Sequence, residues 1–527
     1  MGGRDSPGRT SSLRCGRSTW QIPPSHAGRP VPGRAPGEAL NRRPPIRCLT
    51  VFLGSKKRMT DSMNSTRPTG GPKEPASRNP LLVLDGATVH HGVGGTRGFV
   101  VAPVRHLHTQ VGTPASGPSI LIAHDLTPAD TAALDLNEIA AFCTSAGGPT
   151  SHAVQVAYGL GIPTVVAAGD GVLTIPEGEM CALDGDTGTL YVGLAGSDLH
   201  AAIAYQDRAL AQARARSADG TAAGTTPVTL TGTILRASQA AELHAAGAHG
   251  IGLLATELLF LGQEQNLTDE EQHYQAYRSI TRAVGDAPVT LRTLDIGGDK
   301  DMPGLNLPRE DNPFLGVRGV RLSLRRPDLF LPQLRAAYRA AREDGALLRL
   351  MFPMVTTIEE FIQAAQMARE VQAELAAPDL PLGVMVEVPA CALAVDQFVE
   401  HVDFLSLGMN DLTQYLTATS RTNPALARDI DPLHVAVTRT VHSVATTGAA
   451  KGVAVSACGG PAGDPVSAVV LASLGVTALT VAVPHLPDVR DALRRADAAS
   501  LRTIREHALE TGGSRHLRDL VTTLLDL

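Results

Sequence analysis

His152 closes the string Gly147-Gly148-Pro149-Thr150-Ser151-His152, and residues 153–163 continue as AVQVAYGLGIP with apolar side chains at 153, 154, 156, 157 and 160. The spacing predicts a short helix with Thr150 and Ser151 as N-cap residues and Gly161 and Pro163 closing it, so that His152 lies in the first turn. An imidazole is a good nucleophile near neutral pH, and a helix start offers free N–H groups and the positive dipole end to a phosphoryl group. A histidine there is a candidate phosphate acceptor, but alone it is more often an ordinary helix residue. Further along, Arg292, Glu387, Asn410, Asp411 and Cys458 interrupt or follow apolar runs. Two carboxylates offer the hard oxygens that Mg²⁺ prefers, an arginine offers bidentate hydrogen bonds to an anion, and a partly exposed thiol near cations, as expected for Cys458, can act as an acid.

Elements must bring these groups together. The sequence divides into a segment 1–78, an α/β unit 79–196, a helical and flexible connection 197–227, and a long region 228–527. In the second unit, strands are expected at 81–84, 98–101, 119–123, 164–167, 180–183 and 189–192, with a further helix capped at Asp125–Thr131. In the long region, eight β-type runs alternate with helical ones, at 228–235, 250–254, 289–294, 347–352, 382–387, 402–408, 452–457 and 477–483. Eight such runs in about 300 residues are what a (β/α)8 barrel needs. Arg292, Glu387, Asn410, Asp411 and Cys458 all fall at C-terminal ends of these runs, which share one face of a barrel. Arg318 and Arg321, three apart, are expected on one helix face, where they could grip an anion.

Composition narrows the classes. The chain has 527 residues, 43% hydrophobic and 19% charged, which is enough for two to four soluble domains. Aromatic residues make up only 3%, too few for stacking platforms that bind single-stranded nucleic acid. Six cysteines without ligand spacing predict neither a zinc site nor a disulfide framework and fit a reducing, cytoplasmic setting. The uncharged run 466–483 contains Ser467, Gly475 and Thr480 and splits into helix-like and β-rich halves, so no membrane span is expected. Residues 1–58 hold twelve Lys/Arg against Asp5 and Glu38, a net of +10 that leaves −16 for the rest. This basic stretch reads as disordered, and a natural start at Met59 or Met63 is favoured over a targeting peptide or a nucleic-acid arm.

The His152 string resembles the swivelling phosphohistidine domain of the phosphoenolpyruvate-utilising enzymes. Leu291–Lys300 (LRTLDIGGDK), Asn312–Arg318 (NPFLGVR), Met351–Met354 (MFPM), Gly383–Pro389 (GVMVEVP) and Gly408–Tyr415 (GMNDLTQY) resemble the barrel motifs of Enzyme I of the sugar phosphotransferase system, in the same order. The resemblance runs from about residue 90 onward. It implies a swivelling α/β domain followed by a (β/α)8 barrel and a transferase that phosphorylates His152 from phosphoenolpyruvate, releases pyruvate and passes the group to a carrier protein. It further implies Mg²⁺ on Glu387 and Asp411, phosphoenolpyruvate on Arg292, Arg318, Asn410 and Arg421, Cys458 as the acid that protonates the enolate, and a homodimer formed through the barrel.

The chain departs from the Enzyme I pattern in two ways. Between His106 and Ser119 there is no room for the helical subdomain that docks the phosphocarrier, so the acceptor is left unspecified. Moreover, arginines of the Enzyme I motifs are replaced by Pro149, Tyr158 and Ala255, and a glutamate by Gly460. Three readings stand open: a working phosphoenolpyruvate-dependent phosphotransferase with an unusual acceptor, a degenerate homologue that binds ligand or regulates, and one half of a split synthase-like or dikinase-like system.

Overall fold

The computed structural model describes residues 84–107, 117–126, 130, 138–149, 151–218, 228–234, 237–260, 263–298, 302–510 and 513–527, with only the backbone for His152, Ala153, 212–218, Pro303 and Pro424. The strand expected at 81–84 (all but Leu84), most of the helix expected at 125–131, Thr150, and the basic stretch 1–58 lie outside the described residues.

The first body is an eight-stranded sheet in the order β1 (Thr88–His91), β8 (Thr189–Val192), β7 (Met180–Asp184), β3 (Phe99–His106), β4 (Ser119–Ala123), β5 (Ile139–Thr144), β6 (Thr164–Val166) and β2 (Val93–Thr96). Strands β3 to β6 run parallel and the outer pairings are antiparallel. β4 is buried along its whole length and feeds both faces. Ile120 and Ile122 join Val104, Cys143 and Val165 on one side, while Leu121 and Ala123 join Phe142 and Ala157 on the other. Ala157 belongs to the helix His152–Leu160, so burial of that face fixes the helix on the sheet.

The second body is a closed, all-parallel barrel. Its strands are β9 (Thr229–Thr233), β10 (Ile251–Ala255), β11 (Val289–Arg292), β12 (Leu348–Phe352), β13 (Leu382–Val386), β14 (Phe404–Gly408), β15 (Ala454–Cys458) and β16 (Ala478–Ala482). β16 pairs with β9 to close it. Each of the eight runs expected from the sequence overlaps one of these strands, and β10 and β15 each extend one residue past the expected run, to Ala255 and Cys458. The period of two divides their side chains: Leu254, Leu291, Leu350, Val384, Leu405 and Leu479 join the large core against the outer helices. The alternate set includes Leu253, Met351, Met385, Phe404 and Cys458, which form a small cluster of their own inside the barrel. The apolar run 466–483 becomes a buried helix, Pro465–Ser473, and β16. Among the described residues no helix is long and apolar enough to cross a membrane.

Buried polar side chains brace the barrel wall below the site. Gln333 accepts from Leu294 N (3.0 Å) and donates to Thr256 Oγ1 (2.9 Å) and to Tyr277 Oη (3.1 Å). Tyr277 Oη also lies 3.0 Å from Nδ1 of fully buried His273, whose Nε2 is 3.0 Å from Leu267 O. Burial pushes this imidazole down to about 4, so it folds neutral. The unfolded chain binds a proton there near pH 6.5, so the contribution is complete above that pH and is lost as pH falls toward 4. Urea unfolding is expected to lose up to about 3 kcal/mol through His273 across that window. His273→Asn should flatten the slope, and an unchanged slope would rule out this cause.

Candidate active site

Arg292 ends β11, and its guanidinium is buried at the inner rim of the barrel. Nη2 donates to Glu257 Oε1 at 2.5 Å, Nη1 lies 3.7 Å from Asp295 Oδ2, and Nε has no partner among the described residues. Burial alone would weaken the charge, but Glu257 and Asp295 outweigh it and hold the pKa above the ordinary arginine value. Part of the hydrogen-bonding capacity of a buried cation is therefore unused, which is costly unless an anion takes it up.

Arg318 lies between two carboxylates. It donates to Asp295 through Nε (3.1 Å) and Nη2 (3.0 Å), and to Asp411 through Nη1 (2.7 Å) and Nη2 (3.2 Å). Arg421 Nη1 adds a third hydrogen bond to Asp411 at 3.0 Å, and both guanidinium groups sit over the Phe314 ring. Burial would raise the Asp411 pKa, yet Arg318 and Arg421 hold it well below the usual carboxylate range. The shared helix face expected for Arg318 and Arg321 is not formed. The helix begins at Val320, after Gly319 turns the chain with φ 57°, and Arg321 instead reaches Glu360 (3.3 Å) and Thr356 Oγ1 (2.8 Å).

Glu387 follows β13 and accepts from Met354 N at 2.8 Å through Oε1. Met354 holds its amide there from the left-handed region at φ 59°, a strained setting for a residue with a side chain. Burial, then repulsion from Asp411 and Asp295, pushes the Glu387 carboxyl up to about 8. A Cβ on Gly408 would lie 2.6 Å from Glu387 Oε2, so only glycine leaves room for this carboxylate. Among the described residues no three His, Cys, Asp or Glu side chains are grouped to hold a metal. Two neighbouring carboxylates, one kept protonated by burial and by the other's charge, nevertheless suit a divalent cation that takes its remaining oxygens from water or substrate.

Cys458 is the last residue of β15, with Sγ 3.5 Å from Leu407 O. The sequence led us to expect a partly exposed thiol. It is instead buried among Met351, Met385 and Phe404, and burial, eased by Arg292 but reinforced by Glu387, pushes it up to about 11. The thiol therefore carries its proton at neutral pH, as a proton donor must. Asn410 accepts from Gly460 N at 3.3 Å.

A cavity of about 100 Å³ gathers these groups. Arg292, Glu387, Asn410, Asp411 and Cys458 line the barrel side, whereas Arg318 and Arg421 stand behind Asp411 and do not line it. The opposite wall comes from the other body: Gly95, Pro149, Val154, Gln155, Tyr158 and Gly159. His152 begins that wall's helix, and its side chain lies outside the described residues. Ser151 sits at the N-cap with extended backbone, but its Oγ makes no capping bond and is buried without a partner among the described residues, unlike the cap expected from its type. Gly161 closes the helix at φ 69°, as expected. All four departures, Pro149, Tyr158, Ala255 and Gly460, are on the cavity wall. Sequence reasoning did not single out Glu257, Asp295 or Phe314. Asp295 stands within the string Leu291–Lys300, three residues from Arg292, and Glu257 lies two residues after Ala255; acids so close to these positions were the available signal.

The chain matches the PEP-utilising enzyme, PEP-binding domain over residues 210–498 and the PEP-utilising enzyme, mobile domain over residues 115–188. The chain belongs to the PEP-utilising enzyme family. Within that family it is 44% identical over 410 residues to a multiphosphoryl transfer protein of Xanthomonas campestris pv. campestris, covering 76% of this chain and 48% of that one. A multiphosphoryl transfer protein of Rhodobacter capsulatus is 39% identical, covering 77% and 49%. A phosphoenolpyruvate-protein phosphotransferase of Haloferax volcanii is 38% identical, covering 77% and 72%. The chain thus spans about half the length of the two multiphosphoryl transfer proteins.

Proposed function

We propose that this PEP-utilising enzyme phosphorylates its own His152 from phosphoenolpyruvate, releases pyruvate, and passes the phosphoryl group to an acceptor protein. One observation carries the reading: a single cavity has a partly unpartnered buried arginine, two carboxylates and a protonated thiol on the barrel side, and the start of the His152 helix on the other.

In this reading Arg292 and Asn410 bind the phosphate and carboxylate of the substrate. The bond between phosphorus and the enol oxygen breaks as a bond to an imidazole nitrogen of His152 forms. The enolate left behind takes the Cys458 proton at its terminal carbon and becomes pyruvate, and the thiolate is reprotonated from solvent. Glu387 and Asp411 would hold Mg²⁺, which when bound neutralises charge on the phosphate and enolate oxygens. Arg318 and Arg421 position Asp411 and can turn hydrogen bonds to the substrate when that carboxylate is engaged elsewhere.

Incubation with ³²P-phosphoenolpyruvate and Mg²⁺ is expected to leave acid-labile label on the wild type, none on His152→Ala, and none after chelation with EDTA. No label on the wild type would overturn the proposal in favour of a ligand-binding homologue. Label that requires a nucleotide and a second chain would favour a split synthase.

A further inference from the structure

Tyr158 lies six residues beyond His152, about one and a half helical turns. Its side chain leaves the helix toward the barrel. Its hydroxyl accepts from Ala482 N at 3.2 Å, at the C-terminal end of β16. Its ring stacks on His485 with centroids 4.7 Å apart and planes 13° from parallel. Burial pushes the His485 imidazole down to about 4, so an uncharged ring faces the tyrosine.

The barrel is shaped for this side chain. A Cβ on Gly463 would lie 1.8 Å from Tyr158 Oη and 2.6 Å from Cζ, so no other residue at 463 leaves the hydroxyl its place. Two neighbouring contacts hold the same helix. Gln239 Nε2 donates to Gly159 O at 2.8 Å in a buried bond, and a Cβ on Gly148 would lie 1.9 Å from Arg421 O. The helix and the turn that leads into it thus both meet the rim, and Tyr158 has a cleared seat on the other body.

We infer that Tyr158 is a positioning residue: its ring and hydroxyl, seated over Gly463 between His485 and Ala482, set the pose in which the His152 helix covers the barrel mouth. The inference deepens the proposed function and rests on it for its kinetic consequence, though the seat can be measured without substrate. In this chain a residue that supplies no charge to the phosphoryl group instead supplies alignment. A misplacement of the nucleophile by a fraction of a helical turn is enough to lose most of the advantage of proximity.

Three full-length variants test it. Tyr158→Phe keeps the ring and loses the hydroxyl, Tyr158→Ala loses both, and Gly463→Ala places a methyl in the seat from the barrel side. The Ala482 amide should exchange its hydrogen about tenfold faster in all three, read by mass spectrometry without substrate. With ³²P-phosphoenolpyruvate and Mg²⁺ at saturation, the single-turnover rate of His152 labelling should fall about tenfold or more in Tyr158→Ala and Gly463→Ala. In Tyr158→Phe it should fall only about 2–5-fold, with the half-saturating phosphoenolpyruvate concentration unchanged throughout. Circular dichroism melting confirms that each variant is folded, and Gly463→Ala tests the seat even where Tyr158→Ala does not fold.

Unchanged Ala482 exchange would overturn the seat. A labelling rate within twofold of the wild type in Tyr158→Ala would overturn the positioning role. A rate loss that appears only as a raised half-saturating concentration would overturn it too, making Tyr158 a substrate contact. If the wild type takes no label, the proposed function fails while the exchange measurement still decides the seat.

Discussion

Arg318→Met is expected to lower the unfolding free energy by about 3–5 kcal/mol and to abolish labelling from phosphoenolpyruvate. The guanidinium it removes is fully buried and makes two hydrogen bonds to Asp295 and two to Asp411, besides a longer one to Tyr415 Oη. Without it Asp295 loses its bidentate partner and Asp411 is left, among the described residues, with Arg421. Two buried carboxylates then face Glu387, whose carboxyl is already pushed up by both of them. Arg321→Met is the control, since its pair with Glu360 is about one-third exposed and should be worth no more than about 1 kcal/mol. Urea unfolding followed by circular dichroism separates the two. Equal losses for Arg318→Met and Arg321→Met would sink the claim that Arg318 holds the charge balance of the site.

Ala255→Arg is expected to raise the rate of His152 labelling by about 30- to 900-fold, because a charged bidentate contact to a phosphoryl group in flight is worth about 2–4 kcal/mol. Ala255 ends β10 in register with Arg292 and lines the cavity beside it. A new guanidinium there would also meet Glu257, which now spends its carboxylate on Arg292. Arg292 would gain freedom to turn toward substrate. The measurement is rapid quench of labelled protein at saturating phosphoenolpyruvate and Mg²⁺. A rate equal to or below the wild type, in a variant that melts normally, would show that the phosphoryl group does not pass this wall.

The barrel was legible because the outward faces of its strands are continuous in Leu, Val and Ile, as in Leu350, Val384, Leu405 and Leu479, and burial against helices demands that. The first body was less so. β1 and β2 were not anticipated, since His90, His91, Gly94 and Gly95 carry no strand signal and are held by neighbours distant in sequence; a Cβ on Gly94 would lie 2.2 Å from Gly185 O. β5 was hidden by Ala140 and Ala141, which read as readily as helix. In the site, residue type and motif order marked Arg292, Glu387, Asn410, Asp411 and Cys458, and the cavity gathers them. What spacing could not show was pairing. Arg318 and Arg321 look equivalent three apart, and only the turn at Gly319 sends one into the charge network and the other to a surface helix.

Closure of the barrel joins Thr231 to Thr480 across 249 positions, whereas every strand of the first sheet lies between residues 88 and 192. During synthesis the sheet can therefore complete its hydrogen bonding while the barrel still shows two unpaired edges. Those edges, and the apolar surface that Leu479 and Val481 later cover, stay open until residue 482 has left the ribosome. Chaperone demand during expression should accordingly fall on the second half of the chain, and substitutions that weaken β9 or β16 should show first as lost yield, before any loss of activity in the molecules that fold.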